Sequence, residues 1–369
     1  MIPVSRPLIT DTDKQAVIDT IESGWISSSG SKVSEFEKAW AKKCCRDYGI
    51  ACSSGTSGLE ACISSFCFQT GKNIIIPNGT IVSCSNAIYR AGLHPNYVDN
   101  CAERWTMDEN MIEQAINPDT VAIMSVDLYG TPSNYNKIDE LCKKYNLKHI
   151  IDAAESHGAK YDNRIAHSYG DAVVFSFFPN KQITTGEGGM IVTNDKHLAS
   201  EVRSYINLYF DKDRSYNHLK VGANFRMTNM QAALGLSQIF RIEEIVAKKR
   251  HNYEIYKNLI RDRGLDIDFQ EVDSNVLSTY WVVAIKSHRF NGRVNSVRCK
   301  LFDLGIETRR LFKPLSRQPF NVGKEYFCDG GKNCESLYDS GFYLPSSIDL
   351  SSEEIIYVVD QLTEAMRCD

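Results

Sequence analysis

A chain of 369 residues, 43% apolar and 24% charged, is long enough for a large folded unit with a smaller companion, and its composition is that of a soluble globular protein. A net charge of -4 and a pI of about 6.1 supply no basic field for a polynucleotide, yet leave room for a sugar nucleotide held by a few local donors. No apolar run approaches the roughly 18 residues that cross a bilayer, and MIPVSRPLITDTDKQ lacks the apolar core of a secretory leader, so a cytoplasmic protein is expected.

A helix is expected over residues 12–22. From about residue 48 to 194, short apolar runs alternate with amphipathic stretches. The runs are YGIAC (48–52), NIIIP (73–77), PNYVD (95–99), VAIMSVD (121–127), KHIIDA (148–153), AVVFSF (172–177) and GMIVTN (189–194). Strands that alternate with helices imply a mostly parallel α/β sheet, covered on both faces, with ligands at the carboxyl ends of its strands. Met230 to Arg261 reads as one long helix, with Leu234, Leu236, Ile239, Ile242 and Ile245 at helical spacing. A smaller unit follows: a strand near TYWVVAIKS, a helix near 291–304, a strand-like GIETRRLF, and a final helix opened by the capping signature SSEE at Ser351. This pattern divides the chain into residues 1–248 and 249–369.

The twelve cysteines are scattered and include no CxxC pair, which reads as reduced thiols. Cys328 and Cys334, in a Gly-rich loop, are the one pair to check for a metal.

Four stretches fall at strand ends or just after them. SSGTSGLEA (53–61) follows a strand and opens a helix. Its small residues let Gly55 and Thr56 cradle a phosphate on free amides. An ordinary helix cap fits the same residues, and GTSG lacks the GxGxxG spacing of a dinucleotide site. IIDAAESHGA (150–159) ends an apolar strand with Asp152. A carboxylate there is costly without a cation or hydrogen bonds. A protonated ring nitrogen on a cofactor would meet that need, and so would a helix cap. His157 has no suitably spaced second ligand and reads as structural; no metal site is expected.

In FSFFPNKQITTGEGG (175–189), Ser176 ends a strand and Lys181 follows in a loop. Glycines 186, 188 and 189 permit positive φ and close backbone approach to a ligand. Lys181 is either a solvated lysine of a turn or a desolvated amine able to form a Schiff base. KVGANFRMTNMQAALG (220–235) places Asn224 and Arg226 before the long helix. Arg226 suits a carboxylate, and the segment also reads as a loop entering a helix capped at Thr228 or Asn229. Taken together, a phosphate cradle, an acidic partner for a ring nitrogen and an imine-forming lysine are what pyridoxal 5'-phosphate (PLP) requires.

With those residues in place, the chain resembles the DegT/DnrJ/StrS family of sugar aminotransferases nearly end to end. The resemblance is carried by SGWISSSG (23–30), SGTSGLEA (54–61), DAAESHGA (152–159), FSFFPNKQITTGEGGMIVTND (175–195), NFRMTNMQAALG (224–235), GIETRRLFKPL (305–315) and LYDSGFYLPSS (337–347). It implies the aspartate-aminotransferase (type I) fold, with a large mixed, mostly parallel sheet and a smaller C-terminal α/β domain. It assigns Lys181 as the lysine that binds PLP and moves the proton. Asp152 falls to the ring nitrogen and Glu155 to the neighbourhood of the phenolic oxygen. Gly55, Thr56 and Ser176 fall to the phosphate, and Asn224 to the phosphate site of a second subunit, so a homodimer with shared sites is implied. Arg226 falls to the amino donor's carboxylate, and Arg309 to the closing small domain.

Two positions depart from the family pattern. Ile81 stands where many relatives stack an aromatic residue on the cofactor ring, and Ser316 stands where relatives often carry a histidine. Lys181 itself separates the chain from the sister dehydratases, which have histidine there. IPVSRPLI and SGWISSSG look closest to the perosamine and viosamine type enzymes. That implies amination at C4 of a nucleotide-linked 4-keto-6-deoxyhexose with L-glutamate as donor. C3 amination and PLP-dependent dehydration are the alternatives.

Overall fold

The computed structural model describes residues 1–211, 216–321 and 331–367. The seven apolar runs form one sheet: β1 Tyr48–Cys52, β2 Asn73–Pro77, β3 His94–Val98, β4 Thr120–Val126, β5 Lys148–Asp152, β8 Ala172–Ser176 and β9 Gly189–Thr193. Its order is β1-β9-β8-β5-β4-β2-β3. β2, β3, β4, β5 and β8 pair in parallel, whereas β9 runs antiparallel to both β8 and β1. A parallel return needs a long crossover; the segment between β8 and β9 contains no helix, so the strand comes back reversed. The mixed, mostly parallel sheet expected from the sequence is present. The two small strands β6 Lys160–Tyr161 and β7 Arg164–Ile165 join β11 Val276–Leu277 in a separate sheet.

Helices cover both faces, which is why the strands read as continuous apolar runs. They are α1 Asp11–Glu22, α2 Ser31–Lys43, α3 Gly55–Ser65, α4 Val82–Arg90, α5 Glu109–Ala115, α6 Tyr135–Tyr145 and α7 Lys196–Tyr205. Ile74, Ile76, Met124, Ile150, Val174 and Ile191 pack on one side, and Phe36, Trp40, Ile151, Val173, Phe175 and Val192 on the other.

The expected single helix after residue 229 is two: α8 Asn229–Gln238 and α9 Ile242–Asp262, separated by a 3-10 turn at Ile239–Arg241. Thr228 caps α8 in a reciprocal pair with Gln231. The break coincides with a contact distant in sequence. Ser237 Oγ and Arg241 Nη2 both reach the buried Asp13 of α1, at 2.6 and 2.5 Å, and turn the chain around that carboxylate.

Along α9 the packing changes: Ile242, Ile245 and Val246 lie in the core of the large sheet, whereas Tyr253, Tyr256 and Ile260 lie in a second core. That core is built on a sheet of order β10-β12-β14-β13, from β10 Asp268–Phe269, β12 Val283–Lys286, β13 Arg309–Arg310 and β14 Gly341–Leu344. GIETRRLF contributes only the two residues of β13. α10 Val294–Asp303 and α12 Ser352–Arg367 cover this sheet, and α11 Lys332–Ser340 precedes β14. Ser351 and Glu354 cap α12 reciprocally, as SSEE suggests. The extreme N-terminus joins the second unit: Ile2 bridges Ile306, and Ser346 N–H donates to Val4 O at 2.9 Å.

Ten cysteines lie in the described residues as free thiols. Cys328 lies outside them, and Cys334 is buried, donating to Gly331 O at 3.0 Å.

Candidate active site

The carboxyl ends of β1, β2, β5 and β8 open on one side of the sheet, and the expected residues collect there. The β8–β9 loop turns Lys181 inward. Its amide donates to Phe178 O and the Thr185 amide closes the loop on Phe177 O, both at 2.9 Å. The Lys181 side chain is 9% exposed, which decides between the two readings of the sequence in favour of a desolvated amine. Nζ lies 3.6 Å from Glu155 Oε1 and 3.7 Å from the centroid of the Trp281 ring. Burial lowers the Lys181 pKa, while Glu155 and Asp152 pull it back up. Burial pushes Glu155 up to about 7 against the pull of the Lys181 ammonium. The second Glu155 oxygen accepts the Tyr129 amide at 2.8 Å, and Tyr129 holds a left-handed backbone, φ 57°, where it does so.

Asp152, at the end of β5, is buried. One oxygen accepts the Ala154 amide at 3.0 Å and the other the Cys84 thiol at 3.2 Å. Neither partner is cationic, and burial holds the carboxyl above its ordinary range. An acid in this state suits a protonated heterocyclic nitrogen. Ile81 is the residue before α4, three positions ahead of Cys84, and packs half-buried against the sheet core.

The phosphate residues meet at the start of α3. Ser54 caps the helix through the Ser57 amide, leaving the Gly55 and Thr56 amides outside the cap. Thr56 Oγ1 and Ser83 Oγ share a hydrogen bond of 2.7 Å. A Cβ on Gly55 would stand 2.9 Å from Ser176 Cβ, so only glycine lets the helix start reach the end of β8. Free helix N–H groups with the hydroxyls of Thr56 and Ser83 paired beside them, and Ser176 against Gly55, suit a phosphate. The buried amine, the cation-seeking carboxylate and this cradle together fit PLP.

Of the three glycines after Lys181, Gly186 takes the positive φ expected, whereas Gly188 and Gly189 are closed in by protein. A Cβ on Gly188 would meet Thr185 Oγ1 at 2.1 Å and one on Gly189 would meet Ser54 O at 2.4 Å, so both seat the loop on protein neighbours. Gly186 has φ +80° and no atom within 4 Å of such a Cβ.

Asn224 and Arg226 sit at single bridges, to Asn207 and to Cys52, the last residue of β1. Arg226 donates to Asn207 Oδ1 at 2.6 Å and lines a cleft of about 690 Å³ with Ser27, Ser28, Arg203 and Tyr216. Arg309 pairs across the small sheet with Tyr343, whose ring is 6.1 Å from that of Trp281, so Arg309 is two side chains away from Lys181. His157 is structural as expected. It sits among Trp40, Phe175 and Phe177 with Nδ1 2.8 Å from Gln182 Oε1, and burial pushes its pKa down to about 3.

Sequence reasoning missed Trp281, Tyr129 and Cys84. The hint for Trp281 was an aromatic pair, Tyr280–Trp281, just ahead of a strand; nothing local marks the other two. Ser125, His149 and Asp139 form a hydrogen-bonded line of 2.9 and 2.7 Å that resembles a nucleophilic triad. Ser125 is fully buried within β4, so it offers no reactive surface.

Comparison with known proteins agrees with this geometry. The family described as DegT/DnrJ/EryC1/StrS aminotransferase matches residues 7–363. The chain is similar to a GDP-perosamine synthase of Escherichia coli O157:H7, 37% identical over 363 residues, covering 98% of each chain. It is also similar to one of Caulobacter vibrioides, 34% identical over 366 residues, covering 99% of this chain and 98% of the other. Among solved structures, PseC of Helicobacter pylori, an aminotransferase, superposes over 100% of both chains with a TM-score of 0.91 at 24% identity, which shows the shared fold.

Proposed function

Because the chain belongs to the DegT/DnrJ/EryC1/StrS aminotransferase family and is a PLP-dependent enzyme of it, we propose that it aminates C4 of a nucleotide-linked 4-keto-6-deoxyhexose, with L-glutamate as donor. The product is a 4-amino-4,6-dideoxy sugar nucleotide. Two relatives named GDP-perosamine synthase, matched over nearly their whole length, support this acceptor and favour GDP as its nucleotide. C3 amination has weaker support, from a relative named as an aminotransferase of a 3-oxo sugar nucleotide, 32% identical over 79% of this chain.

The observation that carries the proposal is the desolvated Lys181 amine between Glu155 and Trp281, near a buried Asp152 whose hydrogen-bond partners are both uncharged. PLP, when bound, supplies an electron sink. Lys181 holds it and shuttles the proton. Asp152 keeps a proton on the ring nitrogen, and Glu155 stands by the phenolic oxygen. Gly55, Thr56 and Ser176 hold the phosphate, and Ile81 packs on the ring. A lowered lysine pKa leaves more of the amine neutral and nucleophilic at neutral pH.

We assign Asn224 to the phosphate site of a second copy, Arg226 to the glutamate carboxylate and Arg309 to the nucleotide sugar. A homodimer follows from that role of Asn224 and is supported by the exposed apolar side chains Trp25, Ile26, Leu219 and Val221. The division at residue 248 belongs to the same proposal and is supported by the change of core along α9. So does a cytoplasmic location, with which the free thiols agree. No helix among the described residues is long and apolar enough to cross a membrane.

The test is a screen of GDP-, UDP- and dTDP-linked 4-keto-6-deoxy sugars with PLP and glutamate, read by product mass and NMR. A 4-amino product from the GDP sugar is expected. A 3-amino or dehydrated product, or none with any nucleotide, refutes the proposal.

A further inference from the structure

α9 carries a second buried amine. Lys249 is 4% exposed, and its Nζ donates to Trp281 O and Ser346 O, each at 2.8 Å. Burial and the nearby Lys181 charge push its pKa down to about 7, with no carboxylate contributing. An ammonium so placed is costly, and an apolar side chain would avoid the cost. Its donors therefore carry its purpose.

Those donors belong to a row. Arg250 Nη1 donates to Ser278 O at 2.6 Å and Asn252 Nδ2 to Ser347 O at 3.3 Å. One helix thus grips the backbone before β12 and the backbone after β14. Trp281 is the residue most fully held. Its amide donates to Tyr129 O at 3.0 Å and its indole N–H to Asn180 O at 2.7 Å. Lys249 takes its carbonyl, and this is the one of the three contacts made by another residue's side chain. The ring so fixed lies 3.7 Å from Lys181 Nζ.

We propose that Lys249 is a positioning residue for Lys181, acting through Trp281: its grip on the Trp281 carbonyl sets the indole ring against the reactive amine. This rests on Lys181 being the lysine that takes PLP. The test keeps the two ideas apart. Full-length protein stripped of cofactor is mixed with PLP and reduced with borohydride at intervals across a range of pH, and mass spectrometry follows the adduct on Lys181. Adduct formation in the wild type tests the Lys181 assignment alone.

Given that adduct, Lys249→Met should slow its formation on the order of tenfold, as expected for coupled side chains, and move the pH profile. In a Trp281→Leu background the same substitution should leave the rate unchanged, and only the direct charge effect on the pH profile should remain. Equal rate effects in both backgrounds, or no rate effect in either, overturn the proposal. Should the methionine variant fail to fold, Lys249→Gln is judged by the same non-additivity with Trp281→Leu.

Discussion

Lys181 Nζ and Glu155 Oε1 stand 3.6 Å apart, with their side chains 9% and 6% exposed. Burial pulls each group toward its neutral form, and each is the other's main reason to stay charged. The pair therefore sets how much free amine is present at neutral pH.

Glu155→Gln tests that coupling. The amide keeps the shape and the acceptor for Tyr129 N–H but removes the anion that raises the Lys181 pKa against burial. The sign is fixed: without the anion, burial prevails and the Lys181 pKa falls. The pH midpoint for forming the borohydride-trapped adduct with PLP should move to lower pH than in the wild type. A midpoint that rises or stays put means the carboxylate does not govern the amine.

Asp152→Asn keeps an acceptor for the Ala154 amide but cannot balance a protonated ring nitrogen. PLP should remain bound while turnover falls by about 10²–10⁴-fold, the range for losing a placed acid–base group. Turnover near wild type would place the ring nitrogen elsewhere. Cofactor content by absorbance, alongside turnover, separates loss of chemistry from loss of PLP.

Gly55→Ala puts a Cβ 2.9 Å from Ser176 Cβ, both on backbone that cannot easily give way. Overpacking of this kind costs about 1–3 kcal/mol. A fall in Tm and weaker PLP binding in a spectrophotometric titration are both expected, because the same crowding widens the phosphate cradle. Unchanged PLP affinity would take Gly55 out of that cradle.

Shared sites make a distinctive prediction. Lys181→Ala and Asn224→Ala are each expected to lack activity alone. A mixed dimer of the two pairs an intact Lys181 site with an intact Asn224 from the other copy, so unfolding and refolding the mixture should restore activity. If the mixture stays as inactive as its components, Asn224 does not act across an interface.

Much of this architecture was legible because it is local. The seven strands of the large sheet fall within a residue of their apolar runs, since burial on both faces leaves few polar positions to blur the pattern. Asp152 and Ser176 announced themselves as polar residues ending such runs. The α8–α9 break was not legible, because Asp13 directs it from more than 200 residues away and the apolar spacing continues through Ile239 and Ile242. Trp281 read only as a strand aromatic; its place beside Lys181 comes from packing between the two sheets. Gly188 and Gly189 read as room for a cofactor; Thr185 of the same loop closes on Gly188, and Ser54 reaches Gly189 only when β1 and β9 pair.

The most direct measurement of the central claim is where PLP attaches. Purified protein loaded with PLP, reduced with borohydride and digested should carry the pyridoxyl mass on the peptide that contains Phe177 to Met190, at Lys181. Lys181→Ala should carry none and show no turnover. A pyridoxyl group on another lysine, or full turnover by the alanine variant, would contradict the account.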